Sequence, residues 1–501
     1  MPKNKFYLTT PIYYVNDKPH LGHAYTTIAG DVLARYHRLR GQDVYYLTGT
    51  DENSQKGVLA AAKAGEPDIQ QYVNRLSAIW QETFDSLNLS HNDFIRTTET
   101  RHLKAVETFF KLVNDKGDIY RGTYVGWYCV GCEAFISENE AGDNKSCPIH
   151  QQPLEKIEEE NYFFKASNYK KALLAHIKKT PGFIQPPARR NEVIAYIKDH
   201  FTDVSISRQS VKWGIPLPVD RSQVLYVWFD ALINYLTSVG FGADEEKFKK
   251  YWPADLHLVG KDIIKFHCAL WPTMLMSAGL PLPKKVFAHG FFTINGQKMS
   301  KSLGNIIDPV ALVSKYGNDA LRYYLLVDFP FGDDGDFSLS RFDQRYHHEL
   351  AHGLGNLMSR VMTMAAKYFN GVVPEKTAQV FEIDWSKYEA ALDNLAFHEA
   401  FQIINKIIQQ ADRFIDEHKP WALAKKVDPM LPTVIYALLE ILRQLMVMTL
   451  PLLPETSEKM LAQLGLDART WQNKYSDLKA WGGLKPGTKL RGGEPLFPPV
   501  S

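Results

Sequence analysis

The first stretch of the chain constrains the fold more than any other. Lys5 to Tyr14 is apolar and strand-like, and a turn rich in Pro, Asn, Asp and Lys follows it. His20-Leu21-Gly22-His23 then opens a helical run to about Arg40, and Val44 to Leu47 reads as a second buried strand. A strand, a crossover helix and a strand commit the chain to a parallel sheet, whose ligands sit beyond the carboxyl ends of its strands. The helix start also presents unpaired backbone N–H groups and the positive end of its dipole, which suits phosphate.

One such sheet does not use up 501 residues. A chain of this length divides into several units with cores of their own. From Asp118 to Pro218 the pattern changes to short pieces rich in Gly, Cys and Pro, and the α/β alternation resumes with Val224 to Phe229, the strand-like Leu256 to Gly260 and a helix from Ile263 to Ala278. Beyond Arg341 strand signals nearly vanish, and helical periodicity runs over Tyr346 to Phe369, Leu392 to Glu417 and Thr433 to Met448. The expected architecture is an α/β Rossmann-like catalytic domain whose halves, residues 1–117 and 221–290, flank a connective insertion over 118–220. A lysine-loop and stem-contact region over 291–344 and an all-α bundle over 345–501 follow.

The formal net charge is +2, from 58 basic and 56 acidic residues, which excludes the global attraction to a polyanion shown by histone-like proteins. Nucleic-acid contact must use local features. Lys485, Lys489 and Arg491 form the strongest basic cluster near the C-terminus, where a solvated tail explains them equally well. The N-terminus lacks a secretory pattern, and the most apolar window, Val434 to Leu453, is interrupted by Glu440, Arg443 and Gln444. These features predict a cytoplasmic protein with no membrane span, the apolar window forming a buried amphipathic helix.

Cys129 and Cys132, then Cys147 and His150, form a C-x₂-C…C-x₂-H set with zinc spacing. Three thiolates and an imidazole complete a tetrahedral Zn²⁺, which marks a closed, structural site. Cys268 reads as a small buried hydrophobe.

His20 and His23, three apart on a helix start, can donate hydrogen bonds to charge developing on an α-phosphate, and Gly22 removes a side chain that would block an adenine ring. Lys298-Met299-Ser300-Lys301-Ser302 supplies two mobile ammonium groups able to neutralise a departing pyrophosphate. Each motif alone is an ordinary surface segment. In this order, flanking an α/β domain, the two motifs resemble those of the class I aminoacyl-tRNA synthetases. Small-molecule nucleotidyltransferases share the histidine motif, but are shorter and lack the helical domain. A non-catalytic, zinc-bearing RNA-binding relic is disfavoured by intact His20, His23, Lys298 and Lys301.

Four longer runs resemble the methionyl branch of that family: Thr10 to Tyr14, Thr48 to Glu52, Tyr226 to Tyr235 and Gly260 to His267. The resemblance implies activation of L-methionine by ATP, with Mg²⁺, to an adenylate, then transfer to the terminal adenosine of initiator and elongator tRNA. It places Gly260 and Asp262 on the ATP ribose, with His20, Gly22, His23, Lys298, Met299, Ser300, Lys301 and Ser302 completing the nucleotide site. The methionine pocket it implies is Ile12, Tyr14, Asp51, Trp228, Ala231, Tyr235, Phe266, His267 and Trp271. A thioether packs well on aromatic edges, and a carboxylate such as Asp51 holds an ammonium. Trp228, Ala231 and Tyr235 would equally form the core stripe of a helix.

Asn53-Ser54 stand where the family often has His-Gly, which leaves Asp51 in place. The insertion is too short for the large editing domain of the valine, isoleucine and leucine relatives. Asn356, Arg360 and Trp421 match positions that contact the anticodon, where amide, guanidinium and indole groups suit splayed bases. His347, His348 and His352 depart from the family's usual polar residues on that helix. The chain stops soon after Phe497 without a further barrel module, from which a monomer is expected.

Overall fold

The computed structural model describes residues 4–136, 141–147, 151–299 and 304–500. The chain forms two compact units, one of residues 4–30 and 44–290, the other of residues 31–43 and 291–501.

The first unit is built on six strands: β1 (Lys5–Tyr14), β2 (Asp43–Asp51), β3 (Asp93–Arg96), β4 (Ile184–Gln185), β5 (Leu256–Gly260) and β6 (Val286–His289). Their order across the sheet is β3-β2-β1-β5-β6-β4. Leu47 pairs with Asp93, Leu8 with Leu256, His257 with Val286 and Val286 with Ile184, all parallel. The strand order reverses between β1 and β5, and in open α/β sheets that reversal opens a crevice at the carboxyl ends. Tyr14 and Gly260 end the two strands that flank it. The helix Leu21–Leu39 follows β1 as expected, and its buried face carries Ala24, Tyr25, Ile28 and Val32.

Residues 118–220 fold mainly into a four-stranded antiparallel sheet whose long hairpin pairs Ile119–Cys129 with Glu155–Phe164. β4 also comes from this segment, yet it edges the main parallel sheet. Val224 to Phe229 differs from the expected strand. Asp220–Leu225 closes a small antiparallel sheet, and Val227–Ala231 is already helical. A continuous apolar run has no periodicity to separate a buried strand from a buried helix, so both readings fit those residues.

The expected helix Ile263–Ala278 is present as one continuous helical run, which opens with a 3₁₀ turn, Lys261–Ile263, passes through a π-helical turn, Phe266–Leu270, and ends in the α-helix Trp271–Ala278. Pro272 supplies the cause, since it lacks an N–H and its ring collides with the carbonyl four residues back, which widens the preceding turn.

The second unit begins with the hairpin Phe292–Ile294 and Gln297–Lys298, paired along its other edge with Gly335–Phe337. Helices dominate thereafter. The expected helix over Leu392–Glu417 is two, Trp385–Asp393 and Phe397–His418, separated at Leu395, whose φ of 59° is left-handed. The stretch Tyr346–Phe369 opens with a long π-helical segment, Tyr346–Gly355.

Met430–Thr449 is long and apolar enough to cross a membrane. It is buried on every side from Val434 to Thr449 rather than amphipathic, which makes it the central core helix of this unit. Its charges are satisfied internally: Glu440 accepts from Arg443 Nε at 2.9 Å and from the backbone N–H groups of Gly482, Gly483 and Leu484. That network pins the C-terminal segment to the core helix, while Lys485, Lys489 and Arg491 stay exposed.

Candidate active site

His20 sits just before the helix Leu21–Leu39, and its carbonyl accepts the N–H groups of His23 and Ala24. The two imidazoles stack with centroids 3.7 Å apart. The Gly22 N–H donates to Nδ1 of His20 at 3.1 Å, and the His20 N–H donates to Nδ1 of His23 at 3.1 Å. A nitrogen that accepts carries no proton, so each neutral ring bears its proton on Nε2. Burial, and then His20 and Lys56, hold the His23 pKa well below the usual histidine range. The pair is therefore a fixed set of neutral N–H donors rather than a pair of cations. A Cβ on Gly22 would stand 3.1 Å from Cε1 of His20, tighter than most such contacts, so a side chain there would press on the ring.

Trp80 completes this corner. Its ring lies 5.0 Å from Tyr13 and 4.7 Å from His23, and its Nε1 donates to the Asp17 carbonyl at 2.9 Å. Gly260 pairs with His289 at the end of β5, and Asp262 lies exposed on the turn that follows. Nδ1 of His289 bonds the Gly290 carbonyl, which leaves Nε2 to accept from Thr26 Oγ1 at 2.7 Å. That bond fastens the histidine-bearing helix to the sheet.

The lysine motif begins on the hairpin of the second unit. Asn295 and Gly296 form its turn with φ of 50° and 77°, the pair of left-handed residues that two-residue hairpins favour. Asp336 accepts from the Gly296 N–H at 2.7 Å and from Thr293 Oγ1 at 2.6 Å, which rigidifies the base of the loop. The backbone of Lys298 closes the hairpin and Met299 is half-buried. Ser300, Lys301 and Ser302 lie outside the described residues.

Of the residues assigned to the methionine pocket, Tyr14 ends β1, Asp51 ends β2, and the aromatic members are linked by ring contacts. Trp228 stacks on Phe266 at 3.9 Å with the planes 6° apart, and Tyr14 and His267 meet Trp228 edge-on. Tyr235 lies 6.1 Å from Trp271. Ile12 and Tyr14 are half-buried on β1, and Ala231 is buried. Nδ1 of His267 bonds the Ile263 carbonyl at 3.1 Å, so that nitrogen carries the proton and Nε2 accepts from the Tyr235 hydroxyl at 2.8 Å. Burial lowers the His267 pKa to about 4, so the ring is neutral.

Asp51 is 3% exposed, and its carboxyl accepts the Asn53 N–H at 3.3 Å. Burial, with Glu133 and Glu52 nearby, raises its pKa to about 8. The hydroxyl of Tyr14 and the indole nitrogens of Trp228 and Trp271 are buried and make no hydrogen bond among the described residues. Buried polar atoms of that kind are costly unless a ligand meets them.

Sequence reasoning missed Tyr13, Trp80, His257 and Asp230. His257 Nδ1 bonds Thr9 Oγ1 at 2.7 Å and its ring lies 4.3 Å from Tyr235. The available signal for His257 was a polar residue inside an otherwise apolar strand.

The sulfurs of Cys129, Cys132 and Cys147 lie within 4.8 Å of one another, with Cys132 and Cys147 3.5 Å apart. None of the three forms a disulfide among the described residues, and the Cys132 N–H points at Cys129 Sγ. The sulfur of Cys129, and then burial, push the Cys132 thiol far above its ordinary value. Three converging sulfurs suit a thiophilic cation. His150 lies outside the described residues. Cys268 is fully buried.

In the helical unit Asn356 is exposed, and Arg360, one turn along, donates to Asp412 at 2.7 Å and Asp416 at 3.2 Å. Trp421 follows Pro420 at a helix start and is 48% exposed, a large ring left in solvent where a core residue would be covered. The helix Asn356–Phe369 therefore presents an amide and an oriented guanidinium, the separate helix Pro420–Lys426 presents an indole, and His348 and His352 are exposed on the π-helical segment before Asn356.

The chain matches the family model of class I (M) tRNA synthetases over residues 6–154 and 143–362, and that of the anticodon binding domain of methionyl tRNA ligase over 371–501. Methionine–tRNA ligase of Thermotoga maritima is 46% identical, covering 98% of this chain and 80% of the relative. That of Streptomyces coelicolor is 44% identical, covering 98% and 96%. The structure of Mycobacterium tuberculosis methionyl-tRNA synthetase in complex with methionyl-adenylate is similar at a TM-score of 0.94 and 40% identity, covering 99% of this chain and 100% of that one. The free-state structure of the M. tuberculosis enzyme gives 0.86 at 38% identity, covering 99% and 98%. With parallel sheet, histidine pair, aromatic cluster and helical unit beside these matches, the chain belongs to the methionine–tRNA ligases, the methionyl family of class I tRNA synthetases.

Proposed function

We propose that the residues described above carry methionine activation and transfer in this chain. The methionine carboxylate attacks the α-phosphorus of ATP, and pyrophosphate leaves. The Nε2–H groups of His20 and His23 stabilise the charge that builds on the phosphoryl oxygens, a role suited to fixed neutral donors that need no reorganisation. Gly260 admits the nucleotide and Asp262 accepts from its ribose. Lys298 and Lys301 are assigned to the departing pyrophosphate, with Met299, Ser300 and Ser302 as the loop around them. Mg²⁺ bound with ATP would lower the charge on its phosphates.

The observation that carries the substrate reading is the pairing of aromatic walls with a polar edge and one buried carboxyl. Trp228, Phe266, Tyr14 and Trp271 surround a side chain without charge, and Ile12 and Ala231 limit its width. Tyr235 and His267 supply a polar edge near the sulfur. Asp51 takes the ammonium by a charge-assisted bond. An aliphatic side chain of similar length would gain the packing and lose the contact between sulfur and ring edge.

Cys129, Cys132, Cys147 and His150 are assigned to one structural Zn²⁺, which would brace the hairpin Ile119–Cys129 and Ala134–Ile136. Asn356, Arg360 and Trp421 are assigned to the anticodon of initiator and elongator tRNA. The domain reading assigns 1–117 and 221–290 to the catalytic fold, 118–220 to the zinc-bearing insertion, 291–344 to the lysine-loop region and 345–501 to anticodon binding. A monomer working in the cytoplasm completes the proposal.

Charging tests the reading. Methionine should be transferred to initiator and elongator tRNA alike, and an anticodon-altered tRNA should be charged poorly. Equal charging of the altered tRNA removes Trp421, Asn356 and Arg360 from their assigned role.

A further inference from the structure

Asp51 and Asp230 are two acids in one buried corner, and neither pairs with a cation among the described residues. Asp51 ends β2, and Asp230 lies on the helix Val227–Ala231 with none of its surface exposed. Asn53 joins them: its backbone N–H meets Oδ1 of Asp51 at 3.3 Å, and its Nδ2 donates to Oδ2 of Asp230 at 3.2 Å. Oδ1 of Asp230 makes no hydrogen bond among the described residues.

The charged groups around this corner are engaged elsewhere. Glu52 is held by Arg96 at 2.7 Å and by Thr98. Glu133 accepts the Tyr128 hydroxyl at 2.6 Å and the Lys56 N–H at 2.7 Å. The Lys56 ammonium sits over the Tyr14 ring at 4.6 Å, and Arg208 pairs with Glu159. Tyr14 and Tyr235 face Asp51 with neutral hydroxyls, each held protonated chiefly by burial.

Two carboxyls that share a dry site do not both ionise without a cation. Asp230 is the more isolated of the two. As a carboxylate it would leave an uncompensated charge at Oδ1, whereas as an acid it leaves one unpaired dipole, a much smaller cost. Burial, and then Asp51, drive it in that direction. Asp51 is buried as well, with one long contact from the Asn53 N–H at 3.3 Å and no cation among the described residues, so it too is held protonated until the ammonium assigned to it arrives.

We propose that methionine enters this pocket in exchange for one proton, which leaves the Asp51 carboxyl for solvent as the ammonium takes its place, while Asp230, held by Asn53, stays a neutral acid and positions Asp51. The O–H bond of Asp51 breaks, its electron pair stays on the carboxylate, and the proton goes to bulk water. The inference rests on the assignment of Asp51 to the ammonium.

Calorimetric titration of the full chain with methionine, near pH 6.5 in two buffers of different ionisation enthalpy, counts the protons released. The native protein should release about one, and its affinity should rise roughly tenfold per pH unit in that range. Asp230→Asn keeps a neutral acceptor for Asn53, so it should still release about one proton, with affinity reduced only a few-fold. Asn53→Ala should weaken methionine binding roughly tenfold and leave ATP binding alone.

No proton release by the native protein overturns the proposal, as does release that disappears in Asp230→Asn. A loss of affinity beyond about a hundredfold in Asp230→Asn, with an unchanged melting transition, also overturns it, because Asp230 would then act as an anion. Asp51→Asn separates the two levels. If it binds methionine as the native protein does, the assignment of Asp51 to the ammonium fails. If it loses binding while the native protein releases no proton, that assignment stands and the proton exchange fails.

Discussion

The Tyr235 hydroxyl donates to Nε2 of His267 at 2.8 Å, and the Ile263 carbonyl on the other ring nitrogen leaves no second arrangement for a neutral imidazole. Removing the hydroxyl in Tyr235→Phe strands a buried acceptor, at about 1–3 kcal/mol. The KM for methionine should rise roughly ten- to a hundredfold at unchanged KM for ATP, as measured by pyrophosphate exchange.

The same ring predicts acid sensitivity. His267 and His289 titrate at about 4 in the folded chain, both depressed first by burial. The unfolded chain binds these protons from about pH 6.5 downward, so it holds more protons than the folded chain between those values. The stability these rings contribute is complete above the unfolded value and is lost as pH falls from about 6.5 to about 4. Urea midpoints measured across that range should fall with pH, and less steeply once both rings are replaced by glutamine. Equal slopes contradict their buried, neutral state.

The cysteine cluster predicts a metal stoichiometry. The purified protein should hold about one Zn²⁺ per chain, and Cys132→Ser should lose it together with several degrees of thermal stability. His150→Ala should weaken retention against a chelator while the three sulfurs remain. Full retention in Cys132→Ser removes the cluster from its assigned role.

Arg360 reaches the solvent face of its helix with Asp412 and Asp416 fixing the guanidinium. Asp412→Asn should loosen it, and Arg360→Gln should remove it. Both should raise the KM for tRNA, the second by about 1–3 kcal/mol, and leave tRNA-independent pyrophosphate exchange unchanged.

Much of this was legible in the sequence where the signal is local. The strand Leu256–Gly260 has the expected bounds, because a short apolar run between turn residues fits little else. The helix after His20 was equally plain, since its glycine, histidines and apolar stripe all agree on one start. The π turn at Phe266–Leu270 was not legible, because a proline inside a helical pattern signals a break without saying how the backbone absorbs it. The link from Asn53 to Asp230 spans 177 residues, and periodicity carries no information about which distant side chains share a cavity. Trp80 stayed hidden for the same reason: its helix reads as amphipathic, and only the fold brings that face to Tyr13 and His23. The family resemblance supplied what local pattern could not, in naming Trp228, Tyr235 and His267 as one pocket.

The most direct measurement is exchange of labelled pyrophosphate into ATP with a panel of amino acids. Methionine should support exchange, while leucine, isoleucine, valine and cysteine should give rates lower by a factor of roughly a hundred or more, as expected where polar contacts add to packing. His23→Gln, whose amide N–H stands near the position of Nε2–H, should retain more exchange than His23→Asn, and Lys301→Ala should lose nearly all of it. Exchange with leucine, isoleucine, valine or cysteine in place of methionine, or methionine exchange untouched by Lys301→Ala and by both His23 substitutions, contradicts the account.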